Sequence, residues 1–346
     1  MRLGNNPAKD GKIITKNKSQ HRVVIPLYIP YEFDYYKDSY QLFELCLFSI
    51  IKTSSSILNI SVISNGCCKE VNAKLLLLYE QELIEELIIE NEAIGKINSV
   101  LKALRTVEER LITITDADVL FCNGWENAVI DVFEAFPNSG AVCPIPVFRK
   151  HFDLTSNIWL DNLFNDRIRF LPVKNPEALS MFGKSLGWKW LVSEFKDVIG
   201  TIKNKNNKIA VLGCSHVVAT YKNEVFKGIP NTNAKFKLEG ICEYEYTDLP
   251  VLKRGGYRLS TYDNYAYHLG NVAEPWMYEK FNGLYEEKKV DKKIETLKFL
   301  RKRYFYSYKE KIFKKLLSFD KFKRKILKIK GLNKEQIYNF LDKKYI

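Results

Sequence analysis

Two aspartates stand two residues apart in "RLITITDADVLF", Asp116 and Asp118, directly after an apolar, β-branched run. Residues i and i+2 of an extended segment point to the same side, so the two carboxylates face one way. A carboxylate at the end of a buried strand is costly to desolvate unless a cation pairs with it. The pair suits a hard divalent ion, Mn2+ or Mg2+, which takes oxygen ligands and keeps positions open for a diphosphate. Taken alone, a D-x-D of this kind is equally what a solvated turn carries.

The elements that must hold this pair follow from the hydrophobic periodicity. Strands are predicted over Arg22–Pro30, Ile57–Gly66, Glu86–Asn91, in "RLITITD", and over Gly140–Val147. Helices are predicted between them over Leu42–Thr53, Lys69–Gln81, Ala93–Leu104 and Trp125–Phe136. Such alternation implies βαβ units and an α/β fold, a mostly parallel sheet flanked by helices. Ligands of these sheets bind beyond the carboxyl ends of the strands. Pro26–Pro30, Asn65-Gly66 and Asp116–Asp118 all sit at such ends, so one crevice should collect them. Residues 149–207 are less regular and hold Trp159, Trp188 and Trp190, either core residues or sugar-stacking faces. Strands follow within Ile209–Tyr221, then a helix from Cys242 stopped by Gly255-Gly256, a strand, and a second strand ending at His268.

After Pro275 the composition changes. Leu284–Ile346 holds 21 Lys and Arg against 8 Asp and Glu, the whole of the chain's +13, while residues 1–283 carry 33 of each. Ile294, Leu297, Leu300, Tyr304, Tyr308, Ile312 and Leu316 fall at helical spacing, which predicts an amphipathic basic helix over Lys292–Ser318. Asn333 with Gln336 reads as a capping box opening a short last helix. Such a basic extension either packs with a solvated face or meets an anionic membrane surface. No nucleic-acid-binding module accompanies it, so nucleic acid is not expected as a partner. Seven cysteines, an odd number with no C-x-x-C, read as reduced thiols of a cytosolic protein. Met1–Gln20 is polar and basic and reads as a flexible tail, not a signal peptide.

In chain order, "VVIPLYIP", "ISVISNG", "IGKINSVLKAL", "RLITITDADVLF", "LGCSHVVATYKNEVFKGI" and "EYTDLPVLKRGGYRLSTYDNYAYHLGN" resemble the successive motifs of a GT-A glycosyltransferase, closest to the large inverting group of family 2. The resemblance covers about Arg22 to Asn271. It implies a Rossmann-like GT-A catalytic domain over 21–275, with a nucleotide-sugar half at 21–148 and an acceptor half at 149–275. A flexible tail over 1–20 would precede it and a basic amphipathic helical extension over 276–346 would follow. Asp118 would ligate the metal bridging the donor diphosphate, and His268 would be a further ligand. Asp116 would hold the ribose or a metal-bound water. Pro26, Tyr28, Asn65 and Lys96 are candidates for the nucleotide pocket, though each is also an ordinary strand-end or turn residue.

The family's acidic helix opens with Glu-Asp, whose Asp is the base. Here the matching pair is Glu245-Tyr246. Glu245 is the foremost candidate for the base, with Asp248 and Glu243 as alternatives. The function implied is metal-dependent, inverting transfer from a nucleotide-diphospho-sugar, foremost a UDP-sugar, to a glycan or lipid-linked acceptor in bacterial surface polysaccharide synthesis. The protein would work in the cytoplasm or peripherally on the inner membrane face. Two other functions fit parts of the pattern. One is a nucleotide-sugar or glycan-binding protein without turnover, made thinkable by Tyr246. The other is a nucleotidyltransferase, which should carry a Gly-rich phosphate loop where "PLYIPYEF" has no glycine.

Overall fold

The computed structural model describes residues 4, 19–148, 150–187, 197–237, 240–290, 293–300, 303 and 305–342. The expected tail over 1–20 lies almost wholly outside them, as do Trp188 and Trp190. The first half alternates as its periodicity predicts: β1 (His21–Leu27), α1 (Ser39–Thr53), β2 (Leu58–Asn65), α2 (Lys69–Glu80), β3 (Glu86–Glu90), α3 (Lys96–Leu104), β4 (Leu111–Thr115), β5 (Val119–Phe121), α4 (Trp125–Ala135) and β6 (Ser139–Cys143). The region without clear patterning forms α5 (Ser156–Asn162), β7 (Ile168–Pro172), α6 (Pro176–Ser185) and β8 (Val198–Lys203). Then come β9 (Ile209–Leu212), β10 (Val218–Lys222), α7 (Gly240–Glu243), α8 (Leu249–Lys253), β11 (Tyr257–Ser260), β12 (Ala266–His268) and α9 (Pro275–Asn282). Three helices close the described chain, α10 (Tyr306–Ser318), α11 (Asp320–Ile329) and α12 (Lys334–Leu341).

Ten strands form one sheet in the order β3-β2-β1-β4-β10-β6-β11-β9-β8-β7. β1 pairs in parallel with β2 and β4, β2 with β3, and β6 with β11. β10 enters antiparallel between β4 and β6, and β9, β8 and β7 continue antiparallel to the far edge. Strands β7, β9 and β10 therefore run against the other seven. The strands β1, β2 and β4 are buried on both faces, which is why they read as continuous apolar runs. β12 pairs antiparallel with β5 in a small second sheet, placing His268 opposite Val119.

Among the described residues, the predicted helix over Lys292–Ser318 forms only from Tyr306 onward. Ile294, Leu297 and Leu300 are buried as the pattern requires, but Ile294 lies in a short 3-10 turn and Leu297 and Leu300 in irregular chain after it. Periodicity reports which residues face a core, and a chain crossing that core in another conformation satisfies it equally. Leu300, Phe313, Leu327 and Ile337 belong to the same apolar core as Val23 and Ile114. The last helix begins at Asn333, whose capping box with Gln336 forms as predicted. No helix among the described residues is long and apolar enough to cross a membrane.

Candidate active site

The crevice expected at the strand ends exists. A cavity of about 500 Å3 is lined by Pro26, Tyr28, Asn65, Lys96, Asp116 and Asp118, together with Tyr35, Tyr36, Lys237 and Asn271. Tyr28 stands at its mouth, 44% exposed, with Tyr36 edge-on at 5.7 Å between ring centroids. The crevice thus has an aromatic wall at one side and carboxylates at the other.

Two glycines shape the floor. Gly66 has φ +78°, and a side chain there would meet the Ala93 backbone nitrogen at 2.6 Å. Gly95 has φ +93°, with the Lys237 carbonyl oxygen 2.6 Å from where a Cβ would stand. Both backbones adopt left-handed conformations that favour glycine. Asn65 is buried, and its Oδ1 accepts from the backbone N–H groups of Ile94 and Gly95 at 2.7 and 3.1 Å. Asn65 therefore straps the turn that starts α3, and Lys96, the first residue of α3, is aimed by that turn.

Asp118 and His268 face each other, with His268 Nε2 3.3 Å from Asp118 Oδ2. His268 Nδ1 is held by the Ser185 hydroxyl at 2.8 Å, which orients the other nitrogen. Burial opposes protonation of His268, but its contact with Asp118 prevails and raises its pKa. A histidine oriented by a second partner beside a carboxylate has the donor chemistry of a divalent cation site. Asp116 points elsewhere: its carboxylate lies 2.6 Å from Lys96 Nζ. Burial raises the Asp116 pKa, against the pull of Lys96. Among the described residues no group of three or more His, Cys, Asp or Glu side chains converges as a cation cage. The arrangement fits an open site, in which two protein ligands leave the remaining positions to water and a substrate's oxygens.

The base candidates separate clearly. Glu245 is exposed and lines neither the crevice nor its neighbour. Tyr246, which the resemblance would align with a base, is buried against Ile97 and Cys242 and donates its hydroxyl to the Thr232 carbonyl at 2.5 Å. Asp248 is fully buried behind the site, with Arg258 Nη2 2.7 Å from one oxygen and His216 Nε2 2.7 Å from the other. Glu243 is the acid that reaches in. Its Oε1 is 2.8 Å from Lys96 Nζ and its Oε2 is 3.1 Å from His216 Nδ1. The reason is local backbone geometry. Tyr244–Asp248 is π-helical, with the Leu249 N–H bonded to the Tyr244 carbonyl five residues back. A π turn bonds residues five apart and brings them nearer one face than an α turn does, and Glu243 and Asp248 both reach His216. A 3.6-residue period does not predict this.

A second cavity of about 260 Å3 adjoins the crevice, lined by Lys150, Leu154, Phe182, Ser215, His216 and Arg258 among others. Lys96, Asp116 and Glu243 line both cavities and form the wall between them. Burial opposes ionisation of Glu243, but His216 and Lys96 outweigh it and hold its pKa down at about 2. Burial likewise opposes protonation of His216, yet Asp248 and Glu243 lift it to about 9. His216 lies within the "LGCSHVVATYKNEVFKGI" motif, and nothing in its spacing marks it out from the sequence alone. Trp159 is core: it is buried, packs on Phe152 and Phe313, and donates its indole N–H to the His151 carbonyl.

No family model matches the chain, and no curated protein matches it in sequence. Among solved structures the chain is similar to the mannosyltransferase PcManGT from Pyrobaculum calidifontis in complex with GDP-Man and Mn2+, at 17% identity and a TM-score of 0.39, over 72% of this chain and 55% of that one. It is similar to S. aureus TarS 1-349 at 14% identity and a TM-score of 0.45, over 93% of this chain and 79% of that one. It is also similar to GalNAc-T7 with UDP, GalNAc and Mn2+, at 10% identity and a TM-score of 0.46, over 75% of this chain and 45% of that one. The chain thus spans about half the length of the mannosyltransferase and of GalNAc-T7. Likenesses of this size fix no residue's role.

Proposed function

We propose that the chain is an inverting glycosyltransferase that moves a sugar from a nucleotide-diphospho-sugar, foremost a UDP-sugar, to a hydroxyl of a glycan or lipid-linked acceptor in bacterial surface polysaccharide synthesis. One observation carries the proposal: two cavities meet at a wall that presents Asp116, Lys96 and Glu243 to both. An aromatic-walled crevice ending in carboxylates suits a nucleotide with its diphosphate, and the second cavity suits the acceptor.

The nucleotide would lie against Pro26, Tyr28 and Tyr36, with its diphosphate toward Asp118 and His268. Those two residues, with Asp116 nearby, would hold a divalent ion, Mn2+ or Mg2+, which when bound stabilises negative charge on a departing diphosphate. Glu243 is the base. The acceptor oxygen bonds to the anomeric carbon as the bond from that carbon to the diphosphate oxygen breaks. The acceptor proton passes to a Glu243 oxygen, and the bonding pair leaves with the diphosphate. The attacking oxygen becomes strongly acidic only as its new bond forms, so a carboxylate with a pKa near 2 still accepts a late proton. The basic extension over 276–346 would seat the protein peripherally on an anionic membrane, the surface on which lipid-linked acceptors reside.

A melting-temperature screen against UDP- and GDP-sugars, with and without Mn2+, tests donor recognition, since a ligand of the native state stabilises it by mass action. At 100 times Kd the gain is about 2.7 kcal/mol. The shift should depend on Mn2+ and disappear in Asp118→Ala. An Mn2+-dependent shift that survives in Asp118→Ala would remove the metal assignment.

A further inference from the structure

Behind Glu243 runs a line of side chains of alternating charge. Lys96 meets Glu243, Glu243 meets His216, His216 meets Asp248, and Asp248 meets Arg258, at 2.8, 3.1, 2.7 and 2.7 Å. The far end is anchored: Arg258 is 3% exposed and donates to the Cys214 carbonyl at 2.9 Å. The near end lines the two cavities. His216 is the hinge of this line, because both of its ring nitrogens face carboxylate oxygens. A neutral imidazole has one donor and one acceptor, so only the imidazolium can donate to both.

We propose that His216 is a positioning residue: gripped from behind by Asp248, its imidazolium turns the Glu243 carboxylate toward the second cavity and keeps it ionised there. This deepens the proposed transfer and rests on it. The two carboxylates beside the ring favour its imidazolium, while the neighbouring Arg258 opposes it and is outweighed. Glu243 and Asp248 approach from the helical segment 240–253. Arg258 approaches from β11, 3.3 Å from His216 Nε2. Lys96 approaches from α3, donating to the His216 carbonyl at 3.1 Å. Asp248 has no exposure and cannot itself reach an acceptor, so its carboxylate serves through His216. Removing the imidazole would leave the Asp248–Arg258 pair intact, while Glu243 would keep only Lys96 as a partner and lose the contact that fixes its direction.

The test is release of nucleoside diphosphate from the UDP- or GDP-sugar that stabilises the protein, with water as acceptor, across pH 4–8. Wild type should be flat at the acid end. In His216→Asn, whose side chain is too short to bridge both carboxylates, kcat should fall on the order of 10- to 100-fold with the donor KM unchanged. An acid limb should then appear at the low end of this range, because Glu243 has lost one of the two cations that keep it ionised. The double variant with Glu243→Gln should be no slower than Glu243→Gln alone, because His216 acts through Glu243. His216→Gln is the second variant, and each is first required to show the wild-type melting shift with donor. A variant that turns over at the wild-type rate with a flat profile, or losses that multiply in the double variant, would overturn the positioning role alone. A wild-type protein that releases no nucleoside diphosphate from any such donor would overturn the transfer itself.

Discussion

At the scale of single residues, the sequence placed Asp116 and Asp118 at the crevice the structure shows, but not which acid of the later helix reaches that crevice. Asp116 and Asp118 announce themselves by spacing, and His268 by closing a strand beside them. The three differ in surroundings, however. Asp118 and His268 face each other, whereas Asp116 is paired with Lys96. Glu245 is exposed, and the segment that holds it, Tyr244–Asp248, is π-helical. The pair that replaces it has a pH signature. Glu243, held at about 2 and below its ordinary value, contributes stability above about pH 4.5 that is lost as the pH falls toward 2. His216, raised to about 9 from its ordinary 6.5, contributes stability that is complete below pH 6.5 and lost as the pH climbs through 9. The melting temperature of the protein should therefore decline between pH 6.5 and 9, and the decline should shrink in His216→Asn. An unchanged decline in that variant would place its origin elsewhere.

At the scale of elements, the sequence located the parallel half of the sheet nearly to the residue, because strands buried on both faces leave continuous apolar runs. It missed β7, a half-buried strand at the sheet edge, and β8, which pairs beside it. It also extended a helix across 292–318, since buried positions at helical spacing are not proof of helix. The consequential miss is the π segment at Tyr244–Asp248. One added residue per turn rotates Glu245 outward and brings Glu243 and Asp248 into register on His216. A π-helical turn inside a helix often marks a functional site, and here it relocates the proposed base by two positions. Close backbone approaches complete the element-level design. Gly66 and Gly95 allow the Ala93–Gly95 turn to pass against neighbouring chain, and Asn65 ties it down, so that Lys96 enters the crevice at a fixed angle.

At the scale of the whole molecule, the basic C-terminal segment is part of the fold. Phe313, Leu327 and Ile337 join the main core, and the buried Lys330 donates to the carbonyls of Leu163 and Asn165 at 3.2 and 2.6 Å. Truncation after Pro275 would uncover that core, so surface substitution is the cleaner probe of membrane contact. The face to test surrounds α11. Phe164 is 98% exposed and lines a slot with Phe322, Ile326, Ile329 and the exposed Lys325, and α11 also carries the exposed Lys321 and Lys328. Each such lysine near an anionic surface adds about 1 kcal/mol. Co-sedimentation with phosphatidylglycerol vesicles should be salt-sensitive and should fail when the three lysines become glutamate. Wild-type protein left in the supernatant at low salt would reject membrane attachment.

The central claim is that the wall shared by the two cavities carries a base, and that Glu243 is that base. Glu243→Gln keeps the size of the side chain and can still accept from Lys96, so the donor melting shift should match wild type. Release of nucleoside diphosphate should fall by about 10²-fold or more, the usual contribution of general base catalysis. Measuring that release in Glu243→Gln is the most direct test. Intact donor binding with turnover lost is the predicted result, and wild-type turnover in the variant would contradict the account.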